Sequence, residues 1–233
     1  MNRFTARFKG QATAFLILVA VLSVFAVISD EMPYRRFLGS LDPALAFAIV
    51  AIAGYAALAF LSTRGWFCNA GKTSGVDVIK ISSCALVLGI TIAAADSLIR
   101  FPRDMNVPFP QSLLFYPVIG FIVEVVFHVL PLFLLLAVIE YAVMRKITEK
   151  TVLYVLIPVA LIETVFQAYG FRATGTYSLW GALYVGVHVF VINIIGLLLF
   201  RRHGFIMMYL FRLMYYFLWH ILWGHLRLSI LFQ

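Results

Sequence analysis

The sequence predicts an all-α membrane protein, built as a polytopic bundle of transmembrane helices. Of its 233 residues, 64% are hydrophobic and only 12% are charged, and the mean hydropathy is +1.01. A soluble domain carries about a quarter charged residues. Long apolar runs also recur along the whole chain, separated by short segments that hold most of the basic residues. A surface this apolar is expected to face lipid.

Seven apolar runs have the length of about 18 residues or more that is needed to cross about 30 Å of hydrocarbon. They lie near residues 12–29, 43–62, 79–98, 112–143, 151–169, 179–200 and 204–226. The first follows Arg3, Arg7 and Lys9 without a clear cleavage site, so we interpret it as an uncleaved span. The fourth is too long for one untilted helix, and a split at Pro117 or Pro131 would give eight spans.

The basic residues between the runs predict the orientation. With seven spans and a cytoplasmic N-terminus, eleven Lys and Arg side chains lie on the cytoplasmic side and six, including Arg227, on the outer side. This bias predicts a multi-pass protein of the cell (inner or cytoplasmic) membrane with its N-terminus in the cytoplasm. The net charge of +8 comes from these flanking residues, so we expect no nucleic-acid partner. Cys68 and Cys84 are too few for a metal knuckle or a disulfide framework.

Ionisable residues at membrane depth divide the chain into two parts. Each costs about 2.5–3.5 kcal/mol at a helix centre, so such residues tend to face a protein interior and to serve function. Residues 1–110 hold the first three spans and one comparable group, Asp96, near an expected interface. Residues 111–233 hold the rest: Glu124, His128, Glu163, His188, Arg212 and His220. The sequence therefore places the functional site in the second part.

The spacing of these residues predicts a common site. Glu124 and His128 are four residues apart and share one helix face. On the last span a narrow arc holds Tyr209, Arg212, Tyr216, His220 and Trp223. Four helices could thus bring together two carboxylates and up to three imidazoles. We expect Arg212 to neutralise an acid, with Tyr216 beside it as a substrate or charge partner.

This set of side chains is typical of hydrolysis. A carboxylate in a dry pocket is a usable general base toward water, and imidazoles can hold that water or donate to an oxyanion. The candidate catalytic residues are Glu124, His128, Glu163, His188 and His220. Four of them, Glu124, Glu163, His188 and His220, also match the ligands that zinc or another divalent metal accepts. The sequence leaves the metal-dependent and metal-free versions both open.

Two motifs of the second part resemble known intramembrane proteases. The stretch FIVEVVFHVLPL (121–132) resembles the E-E-x-x-F-R motif of CAAX-protease-like (CPBP) proteases, with Glu124 at the second glutamate and His128 at the arginine. The stretch ALIETVFQAY (160–169) is similar to the F-x-x-x-E-N segment of the related PrsW-type proteases, with Glu163 at the glutamate.

Two later stretches continue the resemblance in the same order. HVFVINIIGLLLF (188–200) is similar to the next motif, and FLWHILWGHL (217–226) resembles the closing H-x-x-x-N/D motif, with His220 as its histidine. The resemblance implies an endopeptidase that cleaves membrane-anchored or lipidated protein substrates with glutamate-activated water. Val123 replaces the first glutamate of the family pair, and Gly224 replaces the last Asn or Asp.

These departures keep other functions open. One alternative is a catalytically inactive scaffold or chaperone subunit with the same fold, and another is a proton-coupled transporter. The remaining polar residues have simpler interpretations. We expect His203 and His225 to be interfacial, and Glu140 to form a solvated pair with Arg145.

Overall fold

A computed structural model of the chain describes residues 3–66, 73–143, 146–173 and 179–232. This part is helical and contains no strand. The helices are α1 (Arg3–Ile28), α2 (Met32–Leu38), α3 (Pro43–Thr63), α4 (Gly75–Ile99), α5 (Ser112–Val123), α6 (Leu130–Tyr141), α7 (Glu149–Ala173), α8 (Leu179–His203), α9 (Phe205–Tyr216) and α10 (Gly224–Leu231). Two π-helical turns complete the set, π1 (Glu124–Val129) between α5 and α6, and π2 (Phe217–Trp223) between α9 and α10.

Seven helical segments of the described chain are long and apolar enough to cross a membrane. They are Lys9–Ile28, Pro43–Thr63, Gly75–Ile99, Ser112–Tyr141, Glu149–Gly170, Leu179–His203 and Phe205–Leu231, numbered here as spans one to seven. The prediction of a polytopic helix bundle with seven spans is confirmed. The fourth run is one continuous span of α5, π1 and α6, so the eighth-span alternative is wrong. Pro131 is the second residue of α6, directly after π1, and the helix continues through it.

Local signals fix several helix ends. The Asp42 side chain accepts a hydrogen bond from Leu45 N (2.8 Å) and caps α3, whose first residue is a proline. Ser74 and Asp77 form a reciprocal capping box at the start of α4. Such caps satisfy the backbone donors that each helix start leaves free.

Polar contacts join the span ends at the two faces of the bundle. On one face, Arg36 Nη1 donates to the carbonyl of Asp104 (3.0 Å). On the other, Arg64 pairs with Glu140, and Nδ1 of His203 lies 3.4 Å from Thr73 Oγ1. Glu140 pairs with Arg64; Arg145, its expected partner, lies outside the described residues. His203 lies at the end of span six and is buried there.

An aromatic core joins both parts of the chain. Phe15 of span one lies with its ring centroid 5.5 Å from Phe121 of span four and 5.2 Å from Phe205 of span seven. Phe47 of span two contacts the same Phe121 ring at 5.0 Å. The early spans thus pack directly against the helices that carry the predicted site.

Two glycines allow the closest helix approaches. A Cβ built on Gly89 of span three would lie 2.8 Å from Leu218 Cβ on span seven, and one on Gly54 of span two would lie 3.0 Å from Val125 on span four. The outer surface is apolar, with Leu98 87% exposed and Trp180 77% exposed. Small residues inside and large apolar residues outside are typical of helix packing in lipid.

Candidate functional site

Arg212 lies at the centre of a buried polar cluster formed by spans four to seven. Its Nε atom lies 2.6 Å from Glu124 Oε1. Its two terminal nitrogens donate to the two oxygens of Glu163, at 3.1 and 3.0 Å, and Nη2 also donates to Asn193 Oδ1 at 3.0 Å. With His128, these residues form what we call the Arg212 cluster. Every member is at most 3% exposed.

His128 lies between the two carboxylates. Its Nδ1 atom is 2.9 Å from Glu124 Oε2, and its Nε2 atom is 3.4 Å from Glu163 Oε2. Neither contact has the alignment of a hydrogen bond, so Glu124 Oε2 and both His128 nitrogens have no hydrogen-bond partner among the described residues. A buried polar group without a partner costs about 1–3 kcal/mol and is an exception that requires an explanation.

The other polar atoms of the Arg212 cluster are satisfied. Asn193 Nδ2 donates to the carbonyl of Ala160 (3.1 Å), which ties span six to span five. Gln167 Nε2 donates to Glu163 Oε1 (2.7 Å) from one turn further along span five. The Tyr216 ring centroid lies 5.7 Å from Arg212 Cζ, within cation–π range. The unsatisfied atoms are therefore confined to Glu124 and His128.

The backbone that carries Glu124 and His128 is unusual. Both residues lie in π1, and His220 lies in the second π-helical turn, π2. π-helical turns are rare and occur frequently at functional sites. The apolar sequence around these residues gives no signal for the extra residue that each turn contains.

The structure places His188 and His220 away from the carboxylates. His188 Nε2 lies 3.2 Å from the Tyr215 hydroxyl, and its ring stacks on Tyr184. His220 Nδ1 lies 2.7 Å from Asn106 Oδ1, and its ring stacks on Tyr116 with centroids 4.5 Å apart.

Tyr216 separates His220 from the Arg212 cluster, with its ring 4.8 Å from that of His220. Of the predicted site residues, Glu124, His128, Glu163 and Arg212 therefore meet at one point. His188 and His220 lie next to it with partners of their own.

The predicted metal site is not assembled. Among the residues that the structure describes, no group of three or more His, Cys, Asp or Glu side chains is arranged to hold a metal ion. Glu124 and Glu163 bind the Arg212 guanidinium, while His188 and His220 bind Tyr215 and Asn106. The set Glu124, Glu163, His188 and His220 therefore does not converge in the described structure, and its role as a ligand group stays a prediction.

The charge of Arg212 also opposes a metal at the two carboxylates. A divalent ion bound by Glu124 and Glu163 would lie within about 5 Å of the guanidinium. At an effective dielectric constant of about 20, repulsion at that distance costs about 7 kcal/mol. The residues present do not fit a divalent metal.

A second buried ion pair was missed from the sequence. Arg227 donates to both oxygens of Asp96, at 2.6 and 2.9 Å, and both side chains are fully buried. The Trp223 indole and the backbone N–H of Phe101 donate to the same carboxylate, each at 2.8 Å. Arg227 is therefore not an outer flanking charge, because it binds the end of span three to span seven.

Asn193 and Asn106 were also missed. Asn193 lies in the middle of an apolar run, so the criterion of polar side chains at membrane depth would have selected it. Asn106 lies in the segment between spans three and four, and no sequence pattern connects it to His220.

No match to this chain was found among models of protein families, curated proteins or solved structures.

Proposed function

We propose that this protein is an intramembrane hydrolase, most simply a divergent relative of the CAAX-protease-like and PrsW-type proteases. It would cleave membrane-anchored protein or peptide substrates with water activated by Glu124. The observation that carries this proposal is the group of three neighbouring buried atoms without hydrogen-bond partners, Glu124 Oε2 and the two His128 nitrogens. A buried water needs two to four polar partners, and Glu124 Oε2 with the adjacent His128 Nδ1 would be two of them.

The contacts give each residue of the Arg212 cluster a distinct role. Arg212 holds Glu124 by Oε1 and leaves Oε2 to accept a proton from water. The hydroxide formed in this way attacks the carbonyl carbon of the substrate, and the proton held by Glu124 later passes to His128 and restores both groups. His128, next to Oε2, donates to the oxygen or to the leaving nitrogen as the C–N bond breaks. Glu163 neutralises Arg212 and faces the far side of the His128 ring.

The test compares wild-type protein with Glu124→Gln, which keeps the shape of the side chain and removes the base. Proteolytic products are identified by mass spectrometry of new N-termini in membranes that contain either protein. We expect Glu124→Gln to lower product formation by about 10²–10⁴-fold, the usual contribution of a general base. Glu140→Gln is the matched control, because Glu140 is a partly exposed acid bound to Arg64. Equal products from wild type and folded Glu124→Gln would reject the proposal.

A non-catalytic scaffold is the second candidate. One observation favours it: Arg212 already binds three of the four oxygens of the two glutamates, which is typical of a structural lock. A scaffold would keep a stoichiometric partner after Glu124→Gln and His128→Gln, and membranes from both variants would contain the wild-type set of peptides.

We further propose that the protein resides in the cell membrane with its N-terminus in the cytoplasm. The support is the excess of Lys and Arg in the segments assigned to that side. The contacts at the bundle faces agree with alternating spans, since Arg64 and Glu140 meet on one face and Arg36 and Asp104 on the other.

A further inference from the structure

We propose that the Arg212 guanidinium takes the place of a divalent cation, so that the wild-type site works without metal and becomes a metal site when this charge is removed. The inference deepens the proposed function, because it makes the hydrolysis metal-independent. Its evidence is the arrangement of atoms around Arg212, and its test does not require a substrate.

The atoms around the guanidinium are those of a cation site. Four oxygens surround it within 3.1 Å, two from Glu163, one from Glu124 and one from Asn193. Carboxylate and amide oxygens are common ligands of divalent cations. The cation at their centre is a side chain of the protein itself.

His128 adds nitrogen donors at the edge of the same site. Both of its ring nitrogens lie within 3.4 Å of a carboxylate oxygen and have no hydrogen-bond partner in the described structure. Carboxylate oxygens and imidazole nitrogens are both ligands that zinc accepts. The ligand chemistry for a metal is present, and the positive charge of Arg212 is the element that opposes binding.

The charge of the two glutamates explains why the Arg212 guanidinium and a divalent ion exclude each other. Two ionised glutamates need about two positive charges in a medium of low dielectric constant. Arg212 supplies one of them as a fixed charge. A divalent ion would supply both charges alone, so it competes with Arg212 for the same oxygens.

The experiment uses purified full-length protein in lipid nanodiscs and Co²⁺ as the probe. Wild type and Arg212→His are loaded with Co²⁺, dialysed, and measured by elemental analysis and by visible absorption. Arg212→His removes the fixed charge and adds one imidazole. We expect about one cobalt per chain with a four-coordinate spectrum in Arg212→His, and at least tenfold less in wild type. Arg212→His combined with Glu163→Gln is the control and should lose the bound cobalt.

Two results would overturn the inference. One is wild-type protein that retains about one metal per chain and loses it in Glu163→Gln. The other is Arg212→His that is helical and monodisperse in nanodiscs and binds no more cobalt than wild type. If Arg212→His does not fold, Arg212→Gln, which removes the same charge and keeps a long polar side chain, is measured instead: more cobalt than wild type supports the inference, and no more than wild type overturns it.

The outcome is separable from that of the proposed function. Loss of cleavage in Glu124→Gln tests the hydrolase and says nothing about metal. Cobalt binding in Arg212→His tests the cation site and requires no cleavage. A metal-binding wild type that also cleaves would reject this inference and leave the hydrolase standing.

Discussion

Arg212 Nε and Glu124 Oε1 lie 2.6 Å apart with both side chains almost completely buried. This contact joins span seven to span four, and the terminal nitrogens of the same guanidinium join span seven to Glu163 on span five. One side chain therefore binds three helices at once. The stability of the bundle and the orientation of the proposed base depend on the same residue.

Replacing Arg212 with methionine should destabilise the protein by about 3–5 kcal/mol, because it leaves two buried carboxylates without their cation. Unfolding in bicelles, followed by circular dichroism, measures the change. Arg202→Met is the control, since Arg202 is exposed at the end of span six, and it should change stability by less than about 0.5 kcal/mol. Adding Glu124→Gln and Glu163→Gln to Arg212→Met should recover part of the loss. An unchanged midpoint in Arg212→Met would contradict the assigned contacts.

Arg227→Leu should also cost about 3–5 kcal/mol, because Asp96 would remain buried without its bidentate partner. The same unfolding measurement applies. Trp223→Phe removes one hydrogen bond to the same carboxylate and should cost about 1 kcal/mol. The control is Arg100→Leu, because Arg100 directly follows the helix that carries Asp96 and is exposed. Equal effects of Arg227→Leu and Arg100→Leu would mean that Arg227 is an ordinary flanking charge.

Gly89→Ala should destabilise the contact between spans three and seven by about 1–3 kcal/mol, since the new methyl group would lie 2.8 Å from Leu218 Cβ. Because Cβ itself makes the contact, shortening Leu218 to alanine should relieve only part of the strain. Gly10→Ala is the matched control, since nothing lies within 4 Å of that position, and it should be neutral or slightly stabilising. A neutral Gly89→Ala would show that the helices are further apart than described.

The proposed orientation predicts which cysteines react from outside the cell. In a variant without Cys68 and Cys84, Ser40→Cys should react with a membrane-impermeant maleimide in intact cells. Thr148→Cys should react only after permeabilisation. Both positions are exposed between helices, so access depends on the side of the membrane. The reverse pattern would invert the assignment.

The helices were predictable because their signal is strong and local. A run such as 43–62 has no polar interruption, and length and hydropathy alone define it as a span. Glu124, His128 and Arg212 were grouped by depth and helical spacing, and the structure brings them together. Their catalytic roles stay predictions.

The partners of His188 and His220 could not be predicted in this way. Which neighbour a buried imidazole meets depends on helix rotation and on segments such as the one with Asn106, and neither leaves a periodic signal. Arg227 was misplaced for a related reason. Its flanking position suits a positive-inside count, but its role depends on Asp96, which is far away in sequence.

The two π-helical turns also determine how spans four and seven respond to a change in chain length. Each turn contains one residue more than an α-helix would, so the residues beyond it are rotated about the axis by roughly 100° relative to an uninterrupted α-helix. Deleting one residue within Glu124–Val129 would let the turn close as a regular α-helix and keep Leu132 and Leu136, now fully buried, facing the core. The same deletion in a regular part of these spans would turn every later residue by about 100° about the axis.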